Sequence, residues 1–154
     1  MQFTRSGALV ALMMTSSLAS AEVRIEGPVE YGVFDGPKAE LQAGERVLRR
    51  SNEQIQSTTV VPVKLGTKFG LRYQLLGKVA EGTPLTLLYF TPGVRTPDGV
   101  RHDKFEVTQK LVPGAPQDVM AYEFTENHEV VPGEWRFMVF QGDRLLTQKS
   151  FTVR

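Results

Sequence analysis

The residues in this chain best able to do chemistry are two histidines with carboxylates beside them. His102 and Asp103 lie in Arg101-His102-Asp103-Lys104, and His128 lies in Glu126-Asn127-His128-Glu129. Brought together in space, they would offer nitrogen and oxygen ligands to a divalent metal. Their spacing argues against it: no His-x-His or His-x-x-x-His pattern pre-arranges them, and zinc sites commonly carry such local spacing. The expectation is two solvated loop histidines and no metal. Serine hydrolysis needs a nucleophile, a base and an oxyanion hole. No Gly-x-Ser-x-Gly elbow is present, and Ser51, Ser57 and Ser150 sit in polar contexts. A glycosidase needs two carboxylates across a cleft. With 17 Asp and Glu some pair always exists, so that template decides nothing. The absence of cysteine excludes a thiol nucleophile, a disulfide, cysteine zinc ligation and a lipid-modified cysteine. Arg46, Arg49 and Arg50 form the densest basic cluster and would suit a phosphate or carboxylate. Glu45 and Glu53 flank them, which favours a solvated, locally neutralised segment. No residue is assigned to catalysis, cofactor binding or metal binding, and the chain reads as a non-enzyme.

The N-terminus sets the expected compartment. Arg5 precedes an apolar stretch, Gly7 to Met14, and then a run of small residues ending Ala19-Ser20-Ala21. This is the form of a secretory signal peptide, cleaved before Glu22. The apolar stretch is too short for a permanent membrane anchor. Loss of residues 1–21 leaves 133 residues, enough for one domain with a real core. Arg5 is the only charge in the leader, so the remainder carries 17 cations against 17 anions. A neutral balance argues against a nucleic-acid partner and against bulk attraction to an anionic membrane. A periplasmic location follows in a cell with two membranes.

The elements that must position any site are short strands between Gly and Pro turns. Trp135, Phe137 and Val139 alternate with Arg136, Met138 and Phe140, after a Pro132-Gly133 turn. Gly142-Asp143 predicts a two-residue hairpin, because glycine supplies the positive φ required first. The return strand carries Phe151 and Val153. Phe69, Leu71, Tyr73 and Leu75 alternate with polar residues and should face a core. So should Val23, Ile25, Val29, Tyr31 and Val33 near the start, Phe105 with Val107, and Met120, Tyr122 and Phe124. Leu85 to Phe90 is apolar on both faces. Thr58 to Val63 runs into Pro62, which predicts an edge or a strand end. Glu40 to Arg50 is broken by Gly44, and Gly36 to Asn52 is the least regular segment. Seven to nine short strands in one domain, residues 22–154, predict an all-β antiparallel sandwich.

The ending resembles the immunoglobulin-like accessory domains of bacterial exported proteins. The residues that carry this are Pro132-Gly133-Glu134-Trp135-Arg136-Phe137, Gly142-Asp143 and Phe151-Thr152-Val153. Over nearly the whole chain past residue 21, the sequence is similar to a bacterial exported family, domain of unknown function 3859. The matching residues are Gly27 to Phe34, Leu65 to Gly70, Pro92-Gly93 and Pro97-Asp98-Gly99. That resemblance implies an immunoglobulin-like sandwich and no established activity, cofactor or catalytic residue.

Strand parity nominates a contact surface. If Leu85, Leu87 and Tyr89 face inward with Trp135, Phe137 and Val139, then Leu88, Phe90, Met138 and Phe140 share an outer face. An exposed patch of this kind marks an interface. The competing arrangement, and the commoner one, is that the N-terminal segment or residues 36–52 fold over it. Between Thr91 and Lys104, Pro92-Gly93 and Pro97-Asp98-Gly99 are two turn signals, predicting either a shaped binding loop or a short hairpin that guards a sheet edge. The expected partner is another envelope protein, met through this face, these loops or a sheet edge. One version inhibits an envelope or foreign hydrolase through an inserted loop. The alternative is a carbohydrate- or small-ligand-binding module built on Trp135 or Tyr89, which needs an exposed aromatic platform.

Overall fold

The structure is a computed structural model that describes residues 22–35 and 53–154. The described residues hold nine strands and one short 3-10 turn. The strands are β1 (Arg24–Asp35), β2 (Gln54–Gln56), β3 (Val60–Val61), β4 (Lys68–Leu76), β5 (Leu85–Arg95), β6 (Arg101–Gln109), β7 (Asp118–Glu123), β8 (Gly133–Gln141) and β9 (Arg144–Val153). The 3-10 turn, Asn127–Glu129, lies between β7 and β8. The expected leader, the Arg46/Arg49/Arg50 cluster and the irregular segment 36–52 lie outside the described residues.

The strands form two sheets, one ordered β2-β1-β4-β7 and the other β3-β9-β8-β5-β6. All neighbours are antiparallel except β3 with β9. This is immunoglobulin-like connectivity: β1, β4 and β7 take the places of strands A, B and E, and β5, β8 and β9 those of C, F and G. The fourth place of the first sheet, beside β7, has no strand among the described residues. The chain instead passes from β6 to β7 through residues 110–117.

Alternation builds the core as predicted. Phe69 from β4 sits at its centre, with ring centroids 5.1 Å from Phe137, 5.4 Å from Phe124 and Phe151, and 5.8 Å from Trp135. Each fully buried side chain of this kind contributes about 1.5–3 kcal/mol. The indole Nε1 of Trp135 donates to the Val131 carbonyl at 3.0 Å, so its one polar atom is satisfied. Val23 joins the core, and Ile25, Val29, Tyr31 and Val33 pack against it across a bulge between Glu26 and Glu30. Buried Gln141 ties the strand starts together, accepting from the Val23 amide at 2.9 Å and donating to the Thr83 carbonyl at 3.0 Å.

Two local details have clear causes. Gly142 has φ +60° at the β8–β9 hairpin, the conformation its turn requires. Gly70 lies where β4 and β7 approach so closely that an added Cβ would stand 2.0 Å from the Met120 carbonyl oxygen. The two-residue strand β3 is an edge, as Pro62 predicted.

Candidate functional site

The nominated outer face exists as a register fact. Leu88 lies directly opposite Met138, Thr86 opposite Phe140, and Phe90 opposite Arg136. Leu88, Phe90, Met138 and Phe140 are all half-buried on this face of the five-stranded sheet. The Arg136 guanidinium stands 5.0 Å from the Phe90 ring centre and shields part of it. The described N-terminal residues, 22–35, do not cover the face, because β1 belongs to the opposite sheet. The other expected cover, residues 36–52, lies outside the described residues.

The segment Thr91 to Lys104 is one hairpin rather than two turns. Pro92 and Gly93 lie inside β5, where the pairing with β6 shifts between Phe90 and Val94. That bulge bends the strand, and Val94 beyond it is buried in the core cluster. Pro97, Asp98 and Gly99 form the exposed tip. The tip is held by its own bonds: the Thr96 amide donates to the Val100 carbonyl at 3.0 Å, and the Val100 amide donates to Asp98 Oδ1 at 3.1 Å. The hydrogen bond from the Thr96 hydroxyl, joined by the Val100 amide, holds the Asp98 carboxyl below its ordinary value.

The histidines are both half-buried, and only His128 lies outside a strand. His102 is a β6 residue stacked on Phe105, with ring centroids 5.2 Å apart and Nε2 3.2 Å from Thr96 Oγ1. His128 is half-buried in the 3-10 turn. Among the described residues no group of three or more His, Asp or Glu is arranged for a metal ion. The chemistry of that turn belongs to Glu129. It accepts from the Tyr122 hydroxyl at 2.5 Å, the Glu126 amide at 2.8 Å, and the Thr125 hydroxyl and amide at 2.9 and 3.0 Å. Burial alone would raise the Glu129 carboxyl, but these bonds together outweigh it and bring it below its ordinary value. Burial, then the Glu129 carboxylate, raises the Tyr122 phenol. The arrangement locks the turn onto β7 and presents no activated nucleophile.

Trp135 and Tyr89, the proposed sugar platform, are both buried. The Tyr89 hydroxyl crosses between the sheets and donates to the Ala121 carbonyl on the outer edge of β7 at 3.2 Å.

That edge opens onto a cleft of about 880 Å³, which is in the range of ligand-binding sites. Phe105 and Val107 of β6, Leu87 and Tyr89 of β5, Val112 of the connection and Tyr122 of β7 line its apolar part. Val107 points inward by register, opposite core residue Leu87, yet is 46% exposed. Val112 is 53% exposed. Both would be covered if a fourth strand stood beside β7. At one end Asp118 pairs with Lys78 Nζ at 3.1 Å, and that ammonium also donates to the Ala115 carbonyl at 2.6 Å. Across the first sheet, Lys68 pairs with Glu53 at 3.1 Å and Arg72 with Glu30 at 2.7 Å.

The family described as domain of unknown function (DUF3859) matches residues 22–153. The chain belongs to this family. It is also 69% identical to an immunoglobulin-like protein from Pseudomonas aeruginosa with a 1.50 Å crystal structure. That likeness covers 88% of this chain and 99% of the other, with a TM-score of 0.77. No curated protein matches.

In this DUF3859 domain the cleft is the feature that sequence reasoning missed. A signal was present: Pro113-Gly114-Ala115-Pro116 bars a strand between β6 and β7, where the immunoglobulin arrangement has one. The structure sets the four outer-face residues on one sheet and Pro97, Asp98 and Gly99 at the hairpin tip. The structure joins them through β5, but it places the cleft elsewhere, at the β6–β7 flank.

Proposed function

We propose that the protein is exported, sheds residues 1–21, and acts in the periplasm as a non-catalytic module that binds another envelope protein. The leader composition supports export. The observation that carries the binding reading is the flank where no described strand pairs with the outer edge of β7, beside a cleft of about 880 Å³ with exposed Val107 and Val112. Exposed apolar side chains and an unpaired strand edge are surfaces that folded proteins normally cover. The half-buried Leu88/Phe90/Met138/Phe140 face is a second contact surface on the same module.

The test is crosslinking capture in a periplasmic extract of the host, comparing the tagged protein with Val107→Asp and Phe140→Asp. The expected result is one recurrent envelope protein, lost in one of the variants while that variant unfolds within about 2 kcal/mol of the parent. Equal capture by parent and both variants refutes the reading. A small ligand is the second reading, favoured by the cleft volume alone. It predicts a thermal shift with a compound smaller than a peptide and no protein captured.

A further inference from the structure

The cleft and the edge beside it carry a more specific assignment, which rests on the binding reading above. We propose that β7 recruits an extended peptide strand of a partner, apolar at alternate positions and carrying a lysine or arginine beside Glu123. The added strand takes the fourth place of the sheet, which no described strand fills.

Main-chain chemistry comes first. In an antiparallel pair, the N–H and C=O of one residue point to the same side, and successive residues alternate. The Phe124 amide and carbonyl bond toward β4, to Thr67 and Gly66, at 2.9 and 2.7 Å. The Ala121 carbonyl points the other way, where it meets the Tyr89 hydroxyl. Val119, Ala121 and Glu123 therefore direct their main-chain groups off the sheet. Only another polypeptide strand matches a row of donors and acceptors at this spacing. The Ala121 oxygen keeps a second lone pair for it.

Side-chain chemistry selects what that strand carries. Inward-facing residues of an added strand would lie beside Asp118, Met120 and Tyr122 and enter the cleft against Val107, Val112 and Phe105. Those positions call for apolar side chains. The charges lining the cleft are paired, Lys68 with Glu53, Arg72 with Glu30 and Asp118 with Lys78, except for Glu123. Glu123 is exposed and without an ion-pair partner among the described residues, so the incoming strand needs a cation at that end.

Among the edge strands, the long β6 is protected and β7 is not. β6 presents exposed Arg101, Asp103, Lys104 and Glu106 along nine residues, the usual guard against strand pairing. The outward side chains of β7 are Val119, Ala121 and Glu123. An antiparallel addition places the N-terminal end of the peptide beside Glu123.

The probe is a fluorescein-labelled, blocked heptapeptide, Lys-Val-Thr-Val-Thr-Val-Thr, read by anisotropy with the purified protein. Micromolar binding is expected, weakened at least tenfold when alternate peptide amides are N-methylated. Val107→Asp and Glu123→Lys should each weaken it at least fivefold at unchanged thermal midpoint. A Glu-led peptide should restore binding to Glu123→Lys. The amides of Val119, Ala121 and Glu123 should gain protection from hydrogen exchange. No binding, equal binding of the N-methylated peptide, or protection elsewhere overturns the proposal. So does self-association abolished by Ala121→Pro, which assigns the edge to a second copy. If a host protein is captured normally by Val107→Asp but lost with Phe140→Asp, the strand addition fails while the binding reading stands.

Discussion

The ion pair that anchors one end of the cleft should be the most costly charge to break. Lys78 and Asp118 are forty residues apart in the chain, and their side chains are only 6% and 5% exposed. The Lys78 ammonium has two partners, the Asp118 carboxylate at 3.1 Å and the Ala115 carbonyl at 2.6 Å, and so fastens the β6–β7 connection to the sheet. Asp118→Ala strips the charge partner and leaves an ammonium in a site water scarcely reaches. Removing one member of a buried pair costs about 3–5 kcal/mol, because the orphaned charge keeps its desolvation penalty. At about 2.1 cal/mol/K per residue, a domain of this size has an unfolding entropy near 0.28 kcal/mol/K, so the loss corresponds to a midpoint drop of about 11–18 °C. The double variant Lys78→Met with Asp118→Leu removes both charges and keeps apolar volume. It should recover most of that loss or exceed the parent. Urea unfolding and thermal melts of the parent, both singles and the double close the cycle. A loss under 1 kcal/mol for Asp118→Ala, or a double no better than the single, refutes the reasoning.

Three further outcomes follow from single contacts. Gly70→Ala should destabilise by about 2–4 kcal/mol in urea unfolding, since its Cβ would meet the Met120 carbonyl at 2.0 Å with φ at +156°; a change under 0.5 kcal/mol would show that β4 and β7 are not so close. Glu129→Gln should cost about 1–2 kcal/mol at neutral pH through the lost charge-assisted bonds to Tyr122, Thr125 and the Glu126 amide. Because the folded carboxyl sits below its ordinary value of 4.5, the parent's advantage should be constant above that value and shrink as pH falls through the lower folded one. An advantage that instead grows on acidification would contradict this. Phe140→Asp should leave the β8–β9 hairpin folded, judged by retained cooperative unfolding, because the side chain is half-buried on an outer face; loss of cooperativity would place that face inside a core.

Much of the architecture could be read locally. Alternation at Phe69 to Leu75 and Trp135 to Val139 specified which residues face inward, because a strand's side chains have a period of two. Gly142-Asp143 specified its hairpin, because only glycine takes the required φ without strain. The shared face of Leu88, Phe90, Met138 and Phe140 followed from parity alone. Pro92-Gly93 misled for an equally local reason: the same residues suit a turn or a bulge, and only pairing with β6 chose the bulge.

Other features depended on strands that meet only after folding. Val107 reads as a core residue by its alternation, and it is exposed because no described strand closes over it beside β7. The Lys78–Asp118 pair and the Tyr89 hydroxyl on the Ala121 carbonyl each join segments far apart in the chain. What the sequence alone determined was which face each strand turns inward, since that is written in neighbouring residues. What the tertiary structure decided was which edges no described strand covers, since an edge is defined by neighbours in space and not in the chain.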